Sequence, residues 1–285
     1  MNINRRDMFK MLGAMMLISP MSSLLSFNNS VISQYNELVN KATIKGWLGL
    51  PKNKLMEKIA FEFIDTPYIG GTLDTCDVEQ CTVELDKLDC VTYFETVLAI
   101  ATCLKDGKFE YEDLVHQVQQ TRYRNGVIKD YTSRLHYTAD WIYENVKNGV
   151  FKDITKDIGG EVIKFNTYFM SKNPDKYNAL KANPQFVPII RKQEEKINDR
   201  KYYYLPKEKT HRKIEGIETC DIIALTTSIG GLDYSHIGFA YKNDDGEIHF
   251  LHASSAKKKV VLDTQLSEYL AGKKFDTGIT VLRAL

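Results

Sequence analysis

The stretch at residues 88–94, which continues to about Ala101, constrains the fold of this chain more than any other part of the sequence. Its apolar residues recur with the spacing of one buried helical face, at Phe94, Val97, Leu98 and Ala101. Asp86 and Asp89 stand just ahead, and either carboxylate could cap the free N–H groups of the first turn. The sequence therefore predicts a helix that begins with a cysteine, Cys90, at its tip.

The position of Cys90 suggests a nucleophile but does not establish one. A thiol in the first turn of a helix lies at the positive end of the helix dipole, which favours the reactive thiolate. The alternative is a buried structural cysteine, which is the commoner role of a lone cysteine on a helix. Partners elsewhere in the chain have to decide between the two.

Length and charge exclude several classes of function. The 285 residues are enough for one large core, and 38 Lys and Arg against 37 Asp and Glu give a formal net charge of +1. This balance gives no basic field for nucleic acid. The chain also contains no Gly-rich phosphate loop and no clustered-cysteine zinc pattern, so we expect neither cofactor nor metal.

The N-terminus predicts export. A basic segment, residues 4–10, precedes an apolar segment, residues 11–27, whose length and flanks fit a signal peptide better than a membrane span. The Arg5-Arg6 pair resembles a twin-arginine signal. We expect residues 1–29 to be the signal and residues 30–285 to form a single domain in the periplasm, with no membrane span after signal removal.

Five cysteines in an exported chain leave the disulfide state open. If Cys90 is free, four others remain, and four cysteines allow three pairings. They are Cys76, Cys81, Cys103 and Cys220. Unpaired buried thiols are the other possibility.

Helical spacing predicts further helices at residues 33–43, 52–63 and 111–123. The segment at residues 131–141 runs into a helix that ends near Gly149 and is rich in aromatic and hydrogen-bonding side chains. We interpret Arg134, His136 and Trp141 as parts of a substrate wall. In the alternative, the aromatic rings pack inward and the polar groups are solvated. Residues 151–213 contain four prolines and are expected to be irregular.

The last third of the chain changes to β-type patterns. Short runs at residues 221–227, 235–242, 247–253 and 259–261 predict strands, and residues 243–246 supply a hairpin turn between the second and the third. Helices followed by a meander of antiparallel strands predict an α+β fold.

Two histidines fall on neighbouring strands of this predicted hairpin. A hairpin could bring His236 and His252 within cross-strand reach. A thiol nucleophile needs an imidazole to take and return a proton, and that imidazole needs a polar neighbour to fix its tautomer. Cys90, His236 and His252 could supply nucleophile, base and orienting group. Two histidines satisfied within a sheet are the alternative.

Four motifs in order resemble the NlpC/P60 cysteine peptidase superfamily. They are Pro67-Tyr68-x-Gly70-Gly71, Asp89-Cys90 at a helix start, Ser235-His236-x-Gly238 on a strand, and His252-Ala253 on the next strand. Finer features resemble the DUF1460 branch, the N-acetylmuramoyl-L-alanine amidase-like proteins of cell-wall turnover. Those features are residues 68–74, 88–95, 134–137 and 226–236.

The resemblance implies a papain-like fold, with helices including the cysteine helix packed on an antiparallel sheet, and a site that cleaves an amide in peptidoglycan. Cys90 would be the nucleophile, His236 the base and His252 the third polar residue. Tyr68 would lie beside the oxyanion site, where the Cys90 N–H is a donor. Asp89 and Ser235 belong to the same motifs and are expected to line the site.

One departure from the superfamily pattern bears on the substrate. γ-D-Glutamyl endopeptidases of the superfamily usually carry Ser-Gly after Asp-Cys, and that serine helps to hold the free amine of a stem peptide. Here the positions are Val91 and Thr92. Losing the serine fits an L-alanine nitrogen that is acylated by muramic acid, and the family is associated with 1,6-anhydro-muramoyl peptides.

The leading hypothesis is therefore a monomeric cysteine amidase that cuts between (anhydro-)N-acetylmuramic acid and L-alanine, with a small GlcNAc-anhydro-MurNAc-peptide as substrate. The alternatives are a γ-D-glutamyl-diaminopimelate endopeptidase and a non-catalytic muropeptide-binding protein. A metallo-amidase is a further alternative, although His249 and His252 lie three apart on a predicted strand and so face opposite sides.

Overall fold

The computed structural model describes residues 19–76, 78–211 and 214–285. The basic segment at residues 4–10 and the first part of the apolar segment at residues 11–27 lie outside this range, so the predicted signal is not covered in full. Among the described helices, none has both the length and the apolar character needed to cross a bilayer.

The helices of the first half lie where their apolar spacing predicts them. They are α1 (Ser19–Ile44), α2 (Lys52–Glu62), α3 (Cys90–Lys105), α4 (Tyr111–Arg122) and α5 (Thr138–Lys147). The helix predicted at residues 33–43 is thus the C-terminal part of a longer one, and the segment at residues 131–141 contains a short 3₁₀ turn, Tyr131–Ser133, before α5 begins.

Residues 151–213 are not irregular, and the expectation from their prolines was wrong. They form strands β1 (Phe151–Asp153), β2 (Glu161–Ile163) and β3 (Tyr202–Pro206), and helices α6 (Phe169–Lys172), α7 (Asn178–Ala182) and α8 (Val187–Asn198). Pro174, Pro184 and Pro188 each lie in the first turn of a helix, where the missing N–H of proline has no partner to lose. These prolines start helices rather than prevent them.

The remaining strands are β4 (Ile222–Thr227), β5 (Tyr234–Lys242), β6 (Ile248–Ser254), β7 (Lys259–Gln265) and β8 (Asp276–Ala284), with a short helix α9 (Leu266–Ala271) before the last. The sheet order is β2-β3-β8-β4-β5-β6-β7, and β1 also pairs with β8. The pairings of these strands are antiparallel. The predicted hairpin turn is confirmed by the N–H of Gly246, which donates to the carbonyl of Asn243.

The sheet separates two cores, because alternate residues of a strand face opposite sides. On β4, Ile222 and Ala224 face the larger core, which also contains α3, whereas Ile223 and Leu225 face a smaller core that contains residues of α9. Most of α3 is buried, from Thr92 through Leu104 with few interruptions. The predicted α+β class is confirmed, and the N-terminal tip of α3, at Cys90 and Val91, is partly exposed.

Candidate active site

The cysteine helix begins where the sequence predicts, and Asp89 is its cap. The Asp89 carboxylate accepts hydrogen bonds from the N–H groups of Val91 at 3.0 Å and Thr92 at 2.8 Å. In return the Thr92 hydroxyl accepts from the Asp89 N–H at 2.8 Å, which completes a capping box. The other candidate cap, Asp86, is exposed and does not cap. The cap therefore fixes the backbone that carries Cys90.

The environment of Cys90 favours the thiol rather than the thiolate that the helix dipole predicted. Burial, together with the Asp89 carboxylate, raises the pKa of Cys90 to about 12. Hydrogen bonds from the backbone N–H groups of Ile237, Cys90 and Val91 act in the opposite direction but are outweighed. The expectation of an acidic thiol is therefore wrong for the resting site, because the desolvation of a charged sulfur exceeds the effect of the helix end.

His236 and His252 come together on the neighbouring strands β5 and β6. The two rings are joined by a hydrogen bond of 2.6 Å between His236 Nε2 and His252 Nδ1. Gly238 makes this possible, because a Cβ there would lie 2.7 Å from the Cβ of His252. A side chain at that position would push the second histidine away from the first. The close packing of the two strands therefore explains why the Ser-His-x-Gly motif has a glycine at this position.

Both imidazoles are neutral in the resting structure. Burial is the main cause that lowers the pKa of His236 to about 3 and that of His252 to about 4, and the nearby Lys273 acts in the same direction on both. His252 is fully buried, whereas His236 is partly exposed. A neutral imidazole is the form that can accept a proton from a thiol.

Sequence reasoning missed two residues beside this pair. Asp263 Oδ2 lies 3.3 Å from His252 Nε2, and the ring of Tyr269 on α9 stacks on His236 at 6.5 Å between centroids. Tyr269 also lies near the Cys90 sulfur, which contributes to raising the pKa of the tyrosine. Alternation along β7 could have found Asp263, which is two residues from Val261, the partner of His252 in the ladder.

Cys90 is connected to the histidine pair by a backbone contact with β5. The N–H that donates to its sulfur belongs to Ile237, the residue after His236. Within the described residues Cys90 and His236 are not joined by a hydrogen bond, a common state of catalytic pairs without substrate, since such contacts often tighten only in the complex. Thiol and base therefore share one site in an uncharged resting form.

Tyr68 is held close to the tip of α3. Its segment is clamped on both sides of Leu88: the Leu88 N–H donates to the Pro67 carbonyl at 3.0 Å, and the Ile69 N–H donates to the Leu88 carbonyl at 3.1 Å. Burial, then Cys90, then Asp89 raise the pKa of Tyr68 to about 12. The phenol is therefore a neutral hydrogen-bond donor beside the thiol.

Ser235 precedes His236 on β5, and its hydroxyl binds a residue at the start of β8. Its hydroxyl donates to Asp276 Oδ1 at 2.6 Å. The residue is exposed, but the hydroxyl is directed to the start of β8. This contact fixes the first residues of β5 relative to β8.

Arg134 lies in a closed cluster of opposite charges. Its guanidinium binds both carboxylate oxygens of Glu79, at 2.8 and 2.7 Å, and one of Asp74, at 2.8 Å. Its side chain is 9% exposed and lines a cavity of about 620 Å³ together with Tyr131. The charge of Arg134 is thus already paired within the protein.

His136 and Trp141 both make contacts inside the protein. His136 Nε2 donates to the Tyr131 carbonyl at 2.7 Å, and burial lowers its pKa to about 3. Trp141 is 3% exposed and packs in the larger core against Phe94 and Phe151. The inward packing that the sequence left open is the arrangement found for Trp141.

All five cysteines are free, so none of the possible disulfides is formed. Cys76 is exposed, Cys81 and Cys90 are partly buried, and the other two are buried. Within the described residues, we find no group of three or more His, Cys, Asp or Glu side chains arranged to hold a metal ion.

The helix that begins with a cysteine, packed on an antiparallel sheet that carries a histidine pair, defines an α+β protein with a thiol–imidazole site. The chain belongs to the N-acetylmuramoyl-L-alanine amidase-like family, whose sequence profile matches residues 58–279. This range includes Tyr68, Cys90, both histidines and Asp263.

Solved structures agree with this assignment. A Bacteroides uniformis N-acetylmuramoyl-L-alanine amidase is 36% identical, with a TM-score of 0.78 and coverage of 82% of this chain and 99% of that one. A Bacteroides fragilis protein described as a candidate xylanase is 40% identical, with a TM-score of 0.76 and coverage of 79% and 99%. A Legionella pneumophila DUF1460 protein, 24% identical with a TM-score of 0.69 over 92% and 96%, shares the fold. No curated protein matches the chain.

Proposed function

We propose that this protein is a cysteine-dependent N-acetylmuramoyl-L-alanine amidase that hydrolyses the amide between 1,6-anhydro-N-acetylmuramic acid and L-alanine in small muropeptides. The observation that carries the proposal is the short hydrogen bond between His236 and His252, formed one residue from the N–H that donates to the Cys90 sulfur. Membership of the amidase-like family and the similarity to the Bacteroides uniformis amidase support the class of bond.

The chemistry that follows from these residues is acyl transfer through a thioester. His236 accepts the thiol proton while the sulfur attacks the carbonyl carbon of the muramic acid lactyl group. The oxyanion that forms can accept hydrogen bonds from the Cys90 N–H and from the neutral Tyr68 phenol. The C–N bond then breaks, and His236 returns its proton to the alanine nitrogen, which leaves with the stem peptide.

A water molecule completes the reaction. His236 deprotonates the water, which attacks the thioester carbonyl, and the C–S bond breaks to restore the thiol and release the sugar as a carboxylic acid. A resting site without charge suits this sequence, because charge develops only after substrate has displaced water. Proton transfer from Cys90 to His236 is thus part of the attack and not of the resting state.

The residue after the nucleophile supports a substrate without a free amine. Val91 is apolar and partly buried against the larger core, and its N–H is used by the Asp89 cap. Such a residue offers nothing to hold an ammonium group of a stem peptide. An L-alanine nitrogen acylated by muramic acid requires no such contact, which favours the amidase over the endopeptidase reaction.

The similarity to a protein described as a candidate xylanase raises glycoside hydrolysis as a second class. That reaction needs two carboxyl groups on opposite sides of a glycosidic bond. Asp89, which acts on the pKa of Cys90, and Asp263, which contacts His252, both already accept hydrogen bonds from the protein. The site is therefore better suited to an amide than to a glycosidic bond.

Mass spectrometry of products tests the proposal. The purified protein is incubated with GlcNAc-anhydro-MurNAc-tetrapeptide, with the non-anhydro muropeptide, with the free tetrapeptide and with xylan, each in parallel with Cys90→Ala. We expect free disaccharide and intact tetrapeptide from the anhydro substrate, faster than from the non-anhydro one, and no product from the variant. Prolonged treatment with a thiol alkylator should abolish the reaction, slowly because burial raises the pKa of Cys90, whereas a chelator should not.

Other products would overturn the proposal in distinct ways. A cut after D-glutamate would assign the endopeptidase reaction, and released xylo-oligosaccharides would assign a glycosidase. Activity that a chelator removes and an alkylator spares would assign a metallo-amidase. Binding without cleavage, measured by calorimetry, would assign a muropeptide-binding protein.

We also propose that the protein acts in the periplasm after export. The basic residues 4–10 and the apolar residues 11–27 support this location. Cell fractionation combined with N-terminal sequencing tests it, and a new N-terminus near residue 30 in the periplasmic fraction is the expected result. Full-length protein in the cytoplasmic fraction would contradict it.

A further inference from the structure

The second histidine of the site has a polar neighbour that the mechanism above does not use. His252 Nε2 lies 3.3 Å from Asp263 Oδ2, and the Asp263 side chain is 9% exposed. The register of β6 against β7 shifts between His249 and Leu251, so that Asp263 lies in a β-bulge. A bulge re-aims a side chain at its position, and here the carboxylate points to the imidazole.

The hydrogen bonds around Asp263 determine which atoms donate. Burial pushes the pKa of Asp263 up, but hydrogen bonds from Lys257, from the Thr264 N–H and from His252 outweigh it, so the pKa lies below its usual range. An ionised carboxylate can only accept, so His252 Nε2 has to carry a hydrogen. His252 is neutral, and its Nδ1 is consequently without a hydrogen and accepts from His236 Nε2.

The tautomer of His252 in turn fixes the tautomer of His236, the catalytic base. Because His236 Nε2 carries the hydrogen of its neutral ring, Nδ1 is left with a lone pair, and it is the ring nitrogen that remains for Cys90. The opposite arrangement would place a hydrogen on His236 Nδ1 and leave the ring unable to accept the thiol proton. A two-histidine pair alone permits both arrangements, since either ring can be the donor.

We propose that Asp263 is a positioning residue that selects the tautomers of His252 and His236 and so keeps the Nδ1 lone pair of His236 available to Cys90. The functional part of this inference rests on the proposed amidase activity, whereas the tautomers themselves can be observed without any substrate. Asp263 touches neither substrate nor sulfur in this scheme and acts through His252.

The other oxygen of the carboxylate makes substitution unusually informative. Asp263 Oδ1 accepts from Lys257 Nζ and from the Thr264 N–H, both at 2.8 Å. In Asp263→Asn these two donors require the amide oxygen on their side, so the amide nitrogen faces His252 Nε2. An NH₂ group there donates, which forces the hydrogen of His252 to Nδ1 and the hydrogen of His236 to Nδ1 as well.

The expected kinetic order is therefore the reverse of that for a structural residue. We expect Asp263→Asn, although almost isosteric, to lower kcat about 10²- to 10³-fold, because it locks the wrong tautomer. Asp263→Ala should cost only about tenfold, because it leaves the tautomer unfixed rather than wrong. Lys257→Ala, the matched control that removes a donor from Oδ1 alone, should retain kcat within about threefold. Thermal unfolding of each variant controls for stability.

NMR of ¹⁵N-histidine-labelled protein reports the tautomers directly, because protonated and unprotonated ring nitrogens have widely separated shifts. The signals are assigned with His252→Ala and His236→Ala. We expect both rings of the wild type to carry hydrogen on Nε2, and both rings of Asp263→Asn to carry it on Nδ1. Cys90→Ala should leave the wild-type pattern unchanged.

Two results would overturn the proposal. One is a wild-type His236 with its hydrogen on Nδ1, and the other is an Asp263→Asn protein that keeps the wild-type tautomers or is more active than Asp263→Ala. If the wild type has no amidase activity, the proposed function fails, while the ring-nitrogen shifts still decide whether Asp263 selects the tautomers.

Discussion

Two polar clusters in this protein differ in whether their hydrogen bonds leave an atom free to react. The histidine chain, formed by His236, His252 and Asp263, begins at a carboxylate and ends at a ring nitrogen without a hydrogen-bond partner in the described part of the chain. The arginine cluster, formed by Arg134, Glu79 and Asp74, is more closed, because all three nitrogens of the guanidinium donate to the two carboxylates or to the Leu73 carbonyl.

This difference suggests how to distinguish a catalytic from a structural role among polar groups. Each cluster combines buried and more exposed members, since the side chains of Glu79 and His252 are buried whereas Asp74 is exposed and His236 partly exposed, so exposure does not distinguish them. An open chain has an atom left to react with a ligand, whereas a closed cluster can only hold the chain segments that it joins. We therefore expect the histidine chain to act in turnover and the arginine cluster in stability, and four experiments can break or sharpen this contrast.

The largest effect is expected at the open end of the histidine chain. His236→Ala should lower amidase kcat by about 10⁴-fold, because the proton of the thiol then has no acceptor. The free energy of unfolding should fall by only about 1–3 kcal/mol, because the buried Nδ1 of His252 loses its hydrogen-bond donor. Steady-state kinetics and urea unfolding measure both quantities. A stability loss larger than the activity loss would reverse the assignment.

The arginine cluster should show the opposite behaviour. Arg134→Met should lower the free energy of unfolding by about 3 kcal/mol, because it leaves the buried carboxylate of Glu79 without its partner. The kcat of the folded fraction, measured well below the melting temperature, should stay within about threefold. Arg134→Met/Glu79→Gln is the control and should recover part of the stability. A kcat loss beyond about 100-fold with a normal melting temperature would instead support a contact with substrate.

Substitution of one glycine, Gly238, should affect both stability and turnover. Gly238→Ala should cost about 1–3 kcal/mol of stability, because the new Cβ would lie 2.7 Å from the Cβ of His252 and 2.8 Å from a carbonyl oxygen. It should also lower kcat, because His252 has to move away from His236. Gly272→Ala is a suitable control, since its nearest contact would be 3.6 Å. Equal behaviour of the two variants would show that the histidine pair tolerates displacement.

The smallest effect is expected from pH. Burial keeps the pKa of His236 near 3 and that of His252 near 4, so both rings remain in the base form from pH 5 to 8. The kcat/KM value should therefore vary less than about twofold over this range. With an ordinary pKa near 6.5, it would fall by about 30-fold at pH 5. An acid limb centred near pH 6.5 would show that the rings are more hydrated than in this structure.

Local signals made the cysteine helix predictable. The capping carboxylate, the apolar spacing and the hairpin turn are all set by residues within a few positions of each other, and Asp89, α3 and the β5–β6 hairpin appear where the sequence places them. The α+β class follows from the same signals. His236 and His252 were expected within cross-strand reach because the hairpin register is itself local.

Features that depend on distant pairing were out of reach. β8 lies between β3 and β4 inside the sheet, but the sequence of β8 says nothing about its neighbours. The partners of Arg134 are 55 and 60 positions away, so its ion pairs could not be predicted from the neighbouring sequence. Asp263 was missed because the predicted strand ended at residue 261, whereas β7 continues to Gln265 and carries Asp263 on the face of His252.

The charge and burial around the sulfur described above also affect how the protein withstands oxidants. Peroxides and disulfides react with thiolates, and burial raises the pKa of Cys90 to about 12 and that of Cys81 and Cys103 to about 11. Cys220 is raised further still. A buried cysteine that stays a thiol is oxidised slowly, so it can remain free in the presence of oxidants. The same Asp89 that starts the helix thus helps to preserve the residue that follows it.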